Sequence, residues 1–544
     1  MRLQIKSHLF NFLGRESPRE LKRLIGLSIF VGLTNTAIIG LINTAAAEVT
    51  AGESVTWQFF AFAMLLVLLL LVSRRSNQEN IRSTQDMIYR FKMRILSDVF
   101  RSNLSKIDEI GRELIMEILA RDTQSVSQSV GVVVTVCQSI ATLFFLTLYM
   151  ATVSFTAFLI ILISSLLIFA GGVIELFKVT GLLQTVAARE AEVNAIYADY
   201  LNGYKELKMN SRRAFEMTRE MVAESKDVNN QKGQLIVAIT NFFNYLQILL
   251  YVVVGIMVFV VPVLSSDFSV HVTTAATTAL FLAGSLSGII TNIPNLSQGN
   301  VAAKTLEELA EKLEVSASAA PPSQSDETFS AVRSITLENV TYQHVSKNTS
   351  RTFMLGPLDY QFEVGKVYFI RGNNGSGKTT LMRILTGLYQ PDSGRILVNG
   401  VHISTPASDG YRDQFAVVFS DFHLFKKLYG LPVADQQKVD ELLVLFKMQD
   451  KVSICDGQFS DLQFSTGQRK RLALIVALLE DRPFVILDEW AADQDPEFRQ
   501  EFYEHIIPRL RSMGKTVIAI THDDQYYEMA DHVLYMADGK PIDS

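Results

Sequence analysis

The sequence predicts a chain in two parts, a polytopic α-helical membrane half with six spans followed by a soluble α/β half. Three observations carry this expectation. The 544 residues exceed one ordinary domain. Long apolar runs dominate up to about residue 297, and from about residue 300 the composition turns to that of a soluble domain rich in Gly, Asp and Lys. In the second part an apolar strand pattern, VYFIRG, runs straight into a glycine-rich loop and a helical pattern, GNNGSGKTTLMRIL.

Six apolar stretches reach the roughly 20 residues a bilayer crossing needs: about 24–47, 56–73, 129–150, 152–174, 234–264 and 273–297. The first begins late, lacks a small-residue cleavage pattern and is followed by five more, so it reads as a retained helix rather than a secretory signal. Arg15, Arg19, Lys22 and Arg23 precede the first span, Arg74 to Arg101 follow the second, and Lys205 to Arg219 lie between the fourth and fifth. The intervening connections VTAGESV and SSDFSVHV hold neither Lys nor Arg, so the positive-inside bias places both termini in the cytoplasm. Between these spans, MIYRFKMRILSDVF repeats Ile88, Phe91, Ile95 and Val99 at helical spacing, which predicts helices continuing out of the membrane. SKIDEIGRELIMEIL and YADYLNGYKELKMN each place a Gly where such an extension would reverse. Within the spans, Asn241, Asn244 and Gln247 share roughly one helix face, and Asn292 and Asn295 flank Pro294, which is expected to kink the sixth span. Interhelical hydrogen bonding and the polar wall of a cavity both fit these side chains.

A net charge of −6 offers no basic face, so nucleic acid is not an expected partner, whereas membrane lipid is. Two cysteines, Cys137 and Cys455, build neither a disulfide framework nor a Cys-based metal site. After LEELAEKLEV comes SASAAPPSQSDETFS, with Pro321 and Pro322 among small polar residues, which is linker composition. The domains expected are therefore 1–300 in the membrane, 301–333 as linker and 334–544 as the soluble domain.

The loop of the soluble half matches G-x-x-x-x-G-K-[ST] at Gly372, Gly377, Lys378 and Thr379, after a strand and before a helix. Along Gly372, Asn373, Asn374, Gly375, Ser376 and Gly377, backbone N–H groups close around phosphate oxygens at a helix N-terminus. Lys378 adds a positive charge for the β- and γ-phosphates, and the Thr379 hydroxyl is a ligand for Mg2+. These features predict ATP and Mg2+ as cofactors. FVILDE then reads as a buried parallel strand, Phe484 to Leu487, lying beside the P-loop strand and delivering Asp488 at its carboxyl end. There Asp488 attends the magnesium and Glu489 the attacking water. In QFSTGQRKRLALIVALLEDRP, Ser465 and Gly467 open a second helix suited to phosphate. Two phosphate-binding helix ends on separate loops predict a site shared between two subunits.

In these motifs the chain resembles the ABC transporter family, as a half-exporter with six spans fused to one nucleotide-binding domain. The resemblance implies Walker A at Gly372 to Thr379 with Thr380, a signature loop at Ser465, Thr466, Gly467 and Gln468, and a D-loop aspartate at Asp495. It likewise implies Asp488 as the Walker B aspartate, Glu489 as catalytic glutamate and His522, after TVIAIT, as the switch histidine. Several positions depart from the family pattern. Thr466 stands where a second glycine is usual, and Ser420 stands in place of the Q-loop glutamine, with Asp421 beside it as a possible substitute ligand. VTYQH offers Tyr342 and His344 at the two adenine-stacking positions, of which alignment favours His344. VFSDFHLF, FSTGQRKR and DEWAADQDP look like the cyclic-peptide and siderophore exporter branch, similar to syringomycin, pyoverdine-precursor and lasso-peptide exporters. The expected function is ATP-driven export of constrained peptides or siderophore precursors by a homodimer in a bacterial inner membrane. Lipid or hydrophobic drug export is the alternative within that class. A third reading, a non-transporting ATP-dependent sensor, sits poorly with the paired Glu489 and His522.

Overall fold

The computed structural model describes residues 7–50, 52–260, 272–317, 332–345, 352–403, 408–431 and 436–542. These form two compact units, the first comprising 1–97 and 112–312, the second 98–111 and 313–544.

The chain begins with α1 (His8–Glu16), α2 (Pro18–Thr50), α3 (Thr56–Arg101), α4 (Leu104–Ile110), α5 (Arg112–Glu117), α6 (Thr123–Val153) and α7 (Phe155–Asn202). It continues through α8 (Tyr204–Met209), α9 (Ser211–Gly255), α10 (Val272–Thr291) and α11 (Ile293–Ala317). Helix α3 holds 46 residues, α7 48 and α9 45, so each runs well beyond the hydrocarbon thickness of about 30 Å. Both expected reversals occur: Gly111, at φ 97°, ends α4, and Gly203 separates α7 from α8.

Among the described residues, 18–49, 56–101, 112–153 and 276–313 are long and apolar enough to cross a membrane. The predicted span 152–174 starts on the last residues of α6 and continues along α7, and 234–264 runs along α9 and a π-helical turn (Ile256–Val260) into residues outside those described. The break expected near Pro294 is present, with α10 ending at Thr291 and α11 restarting at Ile293, because proline removes a backbone donor and clashes with the preceding turn.

Small residues set the close approaches of the first unit. Helix α2 packs along α6, and a Cβ added to Gly32 would meet the Ala141 Cβ at 2.6 Å and the Thr142 backbone nitrogen at 2.7 Å. The Ser129 hydroxyl on α6 donates to the Asn295 carbonyl on α11 at 2.9 Å. Helix α1 is tied to α11 by a 2.8 Å contact between His8 Nδ1 and Glu307 Oε2 and by the Leu9 N–H on Asn300 Oδ1 at 3.1 Å.

Two cavities flank α10 and both touch Gly284. One, of about 350 Å3, is lined by Phe243, Gln247, Tyr251, Ser287 and Thr291. The other, of about 420 Å3, is lined by Asn35, Thr135, Gln138, Ser139 and Ser285. Of the polar residues singled out in the sequence, only Gln247 lines either. Positions 243, 247, 251 and 254 form one stripe at 100° per residue, from which Asn244 and Asn241 are turned away by about 60° and 120°. Asn292 instead turns back, donating from Nδ2 to the Gly288 carbonyl at 2.7 Å.

The second unit holds β1 (Ser334–Val345), β2 (Thr352–Glu363), β3 (Val367–Gly372), α12 (Lys378–Leu385), β4 (Ser393–Val398), β5 (Val401–His402), α13 (Asp409–Arg412) and β6 (Phe415–Val418). There follow α14 (Gln436–Leu445), β7 (Ile454–Cys455), β8 (Gln458–Phe459), α15 (Thr466–Leu479), β9 (Phe484–Asp488), α16 (Pro496–Glu501), α17 (Ile507–Ser512), β10 (Thr516–Ile520), β11 (His532–Ala537) and β12 (Lys540–Ile542). An antiparallel sheet has the order β2-β1-β4-β5, and the six-stranded sheet the order β12-β11-β3-β10-β9-β6. Strands β9 and β10 are buried at every residue, as strands covered on both faces must be. The expectation that β9 lies directly beside β3 is corrected: β10 pairs with both and separates them. Helical crossovers let a later strand insert between earlier ones, and apolar patterning carries no record of that order.

Helix α4 belongs to this unit although its sequence is flanked by membrane helices. Its Asp108 carboxylate accepts from the Tyr389 hydroxyl at 3.0 Å and lies 3.6 Å from the Arg383 guanidinium.

Two glycines of α2 separate packing from helix propensity. Gly32→Ala drives its new methyl into α6 and is expected to lower stability by about 1–3 kcal/mol. Gly26→Ala meets nothing within 4 Å and is expected to leave stability unchanged or raised. Thermal unfolding of the two solubilised variants checks the opposite signs.

Candidate active site

The parallel register brings the functional side chains together. Ile370 on β3 pairs with Ile520 on β10, which pairs with Asp488 on β9, so three strands end side by side. Beyond those ends lie the glycine loop, Glu489 and His522.

The loop is closed by its own residues. Gly377 caps α12 at φ 97°, a left-handed conformation that favours glycine, and a Cβ there would sit 2.7 Å from Leu355 Cδ1. Lys378 is buried and folds back, its Nζ donating to the Gly372 carbonyl at 2.7 Å and the Asn373 carbonyl at 3.1 Å. Burial pushes its ammonium below the ordinary lysine value, while the charges of Glu489 and Asp488 pull it back up. Asn374 and Gly375 are exposed, Thr380 is half-buried, and the buried Ser376 hydroxyl finds no hydrogen-bond partner.

Asp488 is 1 % exposed and accepts from two hydroxyls, Ser420 at 3.0 Å and Thr379 at 3.3 Å. Burial raises its pKa above the ordinary aspartate value, opposed by the hydrogen bonds from Ser420 and Thr379. Two hydroxyls and one carboxylate make an all-oxygen donor set, which fits a hard divalent cation such as Mg2+. Among the described residues no group of three or more His, Cys, Asp or Glu could hold a metal ion. Asp421 is drawn elsewhere, its carboxylate 3.9 Å from Arg383 on α12.

Glu489 has φ 50°, a left-handed backbone whose strain for a non-glycine residue is on the order of 1–3 kcal/mol. This turn separates its direction from that of Asp488. The Glu489 Oε1 lies 3.6 Å from His522 Nε2, and both side chains stay accessible.

The second helix end stands apart from this group in its contacts. Ser465 caps α15, its hydroxyl accepting from the Gln468 N–H while the Gln468 side chain accepts from the Ser465 N–H, each at 3.4 Å. Thr466 is exposed. Gly467 packs against the 489–495 segment, where a Cβ would meet the Asp493 carbonyl at 2.4 Å. Asp495 caps α16 through the Phe498 N–H at 2.9 Å and accepts from Arg471 at 2.7 Å, and these partners hold its carboxyl below the ordinary range. Of the two adenine-stacking candidates, Tyr342 is buried and stacks on Tyr389 with ring centroids 5.1 Å apart. His344 lies on β1 opposite Phe353.

Sequence reasoning missed the lattice under α15. Lys470, 3 % exposed, donates to the Glu489 carbonyl at 2.7 Å and pairs with Asp493 at 2.7 Å. Arg471 donates to Gln494 Oε1 at 2.8 Å, and the Gln494 amide donates to the Gly467 carbonyl at 3.0 Å. The signal present in the sequence was three consecutive basic residues, Arg469 to Arg471, in the first turns of an amphipathic helix, where at least one must turn inward.

A family model described as ABC transporter matches residues 355–492. The ATP-binding protein SyrD of Pseudomonas syringae pv. syringae is 31 % identical over 522 residues, covering 93 % of this chain and 91 % of that protein. The glutathione/L-cysteine transport system ATP-binding/permease protein CydD of Bacillus subtilis is 31 % identical over 238 residues, or 41 % of this chain and 40 % of that one. A bacterial Atm1-family ABC exporter with ATP bound shares the fold, with a TM-score of 0.76 at 17 % identity over 96 % of this chain and 95 % of that one. The chain therefore belongs to the ABC transporter family. It is a multi-pass membrane protein with an exporter fold, and its soluble domain binds ATP and hydrolyses it to drive transport.

Glu489→Gln is expected to lower ATP turnover at least about 100-fold while nucleotide binding persists, as steady-state hydrolysis beside equilibrium binding reads directly. A second expectation concerns stability. The folded pKa of Asp488 lies above 3.8, so this group's own contribution to the stability of the nucleotide-free protein is full below that value and is lost as pH rises through the folded pKa. Asp488→Asn is expected to raise the nucleotide-free melting temperature at neutral pH and to flatten its pH dependence, while hydrolysis is lost.

Proposed function

We propose that two copies of this chain form a homodimeric exporter in a bacterial inner membrane, with six spans per copy and both termini cytoplasmic. ATP binds between one copy's P-loop, residues 372–380, and the partner copy's signature loop, residues 465–468. His344 stacks on the adenine. Thr379, Asp488 and Ser420 would hold Mg2+, which would supply charge neutralisation at the β- and γ-phosphates. Glu489 orients a water and accepts its proton as the water oxygen bonds to the γ-phosphorus, the bond to the bridging oxygen breaks, and ADP leaves with that electron pair. His522 donates to the γ-phosphate. ATP drives the cycle only through preferring the closed dimer, and hydrolysis removes that preference.

The cargo is a cyclic or otherwise constrained peptide, including peptide siderophore precursors. The observation that carries this class is the lining of the cavities beside α10, where amide, hydroxyl and aromatic side chains stand among aliphatic ones such as Ile38, Leu66 and Leu280 and no charged residue takes part. Such walls match neutral amide groups and aromatic side chains. At about 350 and 420 Å3 each cavity lies near the lower end of small-molecule sites, so one copy holds part of a peptide and two copies hold the whole. The motif likeness of 418–425, 464–471 and 488–496 to peptide exporters supports the same class.

Purified protein in nanodiscs tests the cargo. Constrained peptides are expected to raise ATP turnover at least about twofold, saturably. Stimulation by lipids or hydrophobic drugs with none by peptides would transfer the assignment to that alternative.

A further inference from the structure

We propose that Lys470 is a positioning residue for hydrolysis, fixing the backbone of Glu489 and joining it to the helix that carries the signature loop of the same subunit. The geometry is specific to one side chain. Lys470 lies on the first turns of α15, and its Nζ reaches the Glu489 carbonyl and the Asp493 carboxylate, each at 2.7 Å. The backbone carbonyl of the same residue accepts the Trp490 indole N–H at 2.8 Å, so residues 489 and 490 are held from both ends of Lys470.

The bond to Glu489 acts where the chain is least free. Glu489 is at φ 50°, and its N–H reaches the Ile520 carbonyl at 3.2 Å. Those two contacts, one on each side of the Cα, define the left-handed turn that points the carboxylate toward His522 and away from Asp488. Without the ammonium on its carbonyl, the residue is released toward ordinary backbone conformations and the carboxylate loses its aim.

The same helix begins at Ser465, and its first turn is fastened to 493–495 through Gly467, Gln494 and Arg471. A displacement of the signature loop therefore moves Lys470, and Lys470 moves Glu489. This part rests on the proposed nucleotide-closed dimer, since the displacing ligand is the partner copy's nucleotide. Lys470 touches no reacting atom in this scheme; it acts through Glu489.

The test compares Lys470→Met, Lys470→Thr and Lys470→Gln in the full-length protein in nanodiscs. Met offers no donor and Thr is too short to reach, whereas Gln keeps an N–H for the carbonyl and gives up the charge. For Met and Thr, kcat is expected to fall about 10- to 100-fold with KM for ATP within about threefold of the parent, and Gln is expected to recover most of the loss. A spectroscopic arm uses Trp57→Phe, which removes one of the two tryptophans of the sequence and leaves Trp490 as the single one. In that background Lys470→Met is expected to shift Trp490 emission and Lys470→Gln to restore it. Equal impairment in all three variants, parallel changes in kcat and KM, parent-like turnover in Met and Thr, or failure of both to fold would each overturn the assignment. The dimer reading is judged separately: Glu489→Gln protein that remains a single copy at saturating ATP and magnesium defeats that reading, while the Lys470 kinetics still decide the role at Glu489.

Discussion

The parallel register of β3, β10 and β9 is the constraint on which the active site depends. Pairing Ile370 with Ile520 and Ile520 with Asp488 ends three buried strands at one level, so a phosphate loop, an acid pair and a histidine emerge together. The loop, the acid pair and the histidine are far apart in sequence. The apolar bulk of the strands sets the position, since a one-residue slip would exchange the faces of every side chain along them. The site is thus a by-product of how the sheet buries itself.

At that edge the protein maintains groups in states that isolated residues avoid. Asp488 is a carboxylate with its charge disfavoured by burial, held by two hydroxyls in place of full solvation. Glu489 carries a left-handed backbone, and Lys378 spends its hydrogen bonds on its own loop. Each is stabilised by neighbours from a different element. Such a group is ready to exchange those partners for phosphate and a cation, because the ligands it holds are weaker than the ones it would receive. Ser420 fits this logic: its hydroxyl reaches Asp488 at 3.0 Å, so the shorter side chain keeps contact with the acid even though a longer one is usual in the family.

The first unit follows different physics. Its helices have no apolar solvent contrast to drive association within a bilayer, so contact depends on small residues and hydroxyl groups. Gly32 against Ala141 and Ser129 against Asn295 are examples. Polar groups that do not bridge helices collect around α10, and there the lining is neutral throughout.

The sequence by itself determined the division into an apolar helical half and an α/β half, the phosphate loop, the acid pair and the helix reversals at Gly111 and Gly203. Those features are local: hydrophobic run length, glycine placement and strand-then-helix patterning are all written in contiguous residues. It offered Tyr342 and His344 as candidates for adenine stacking, and burial of Tyr342 against Tyr389 is the part only packing revealed. Tertiary structure alone decided that β10 lies between β3 and β9, because strand order is set by crossovers that leave no local trace. It decided that Gln247, and not Asn241, Asn244 or Asn292, faces a cavity, since a helix wheel gives a face but not what the face meets. It alone set Lys470 on the carbonyl of Glu489, a contact across 19 residues that depends on where α15 lies against the end of β9.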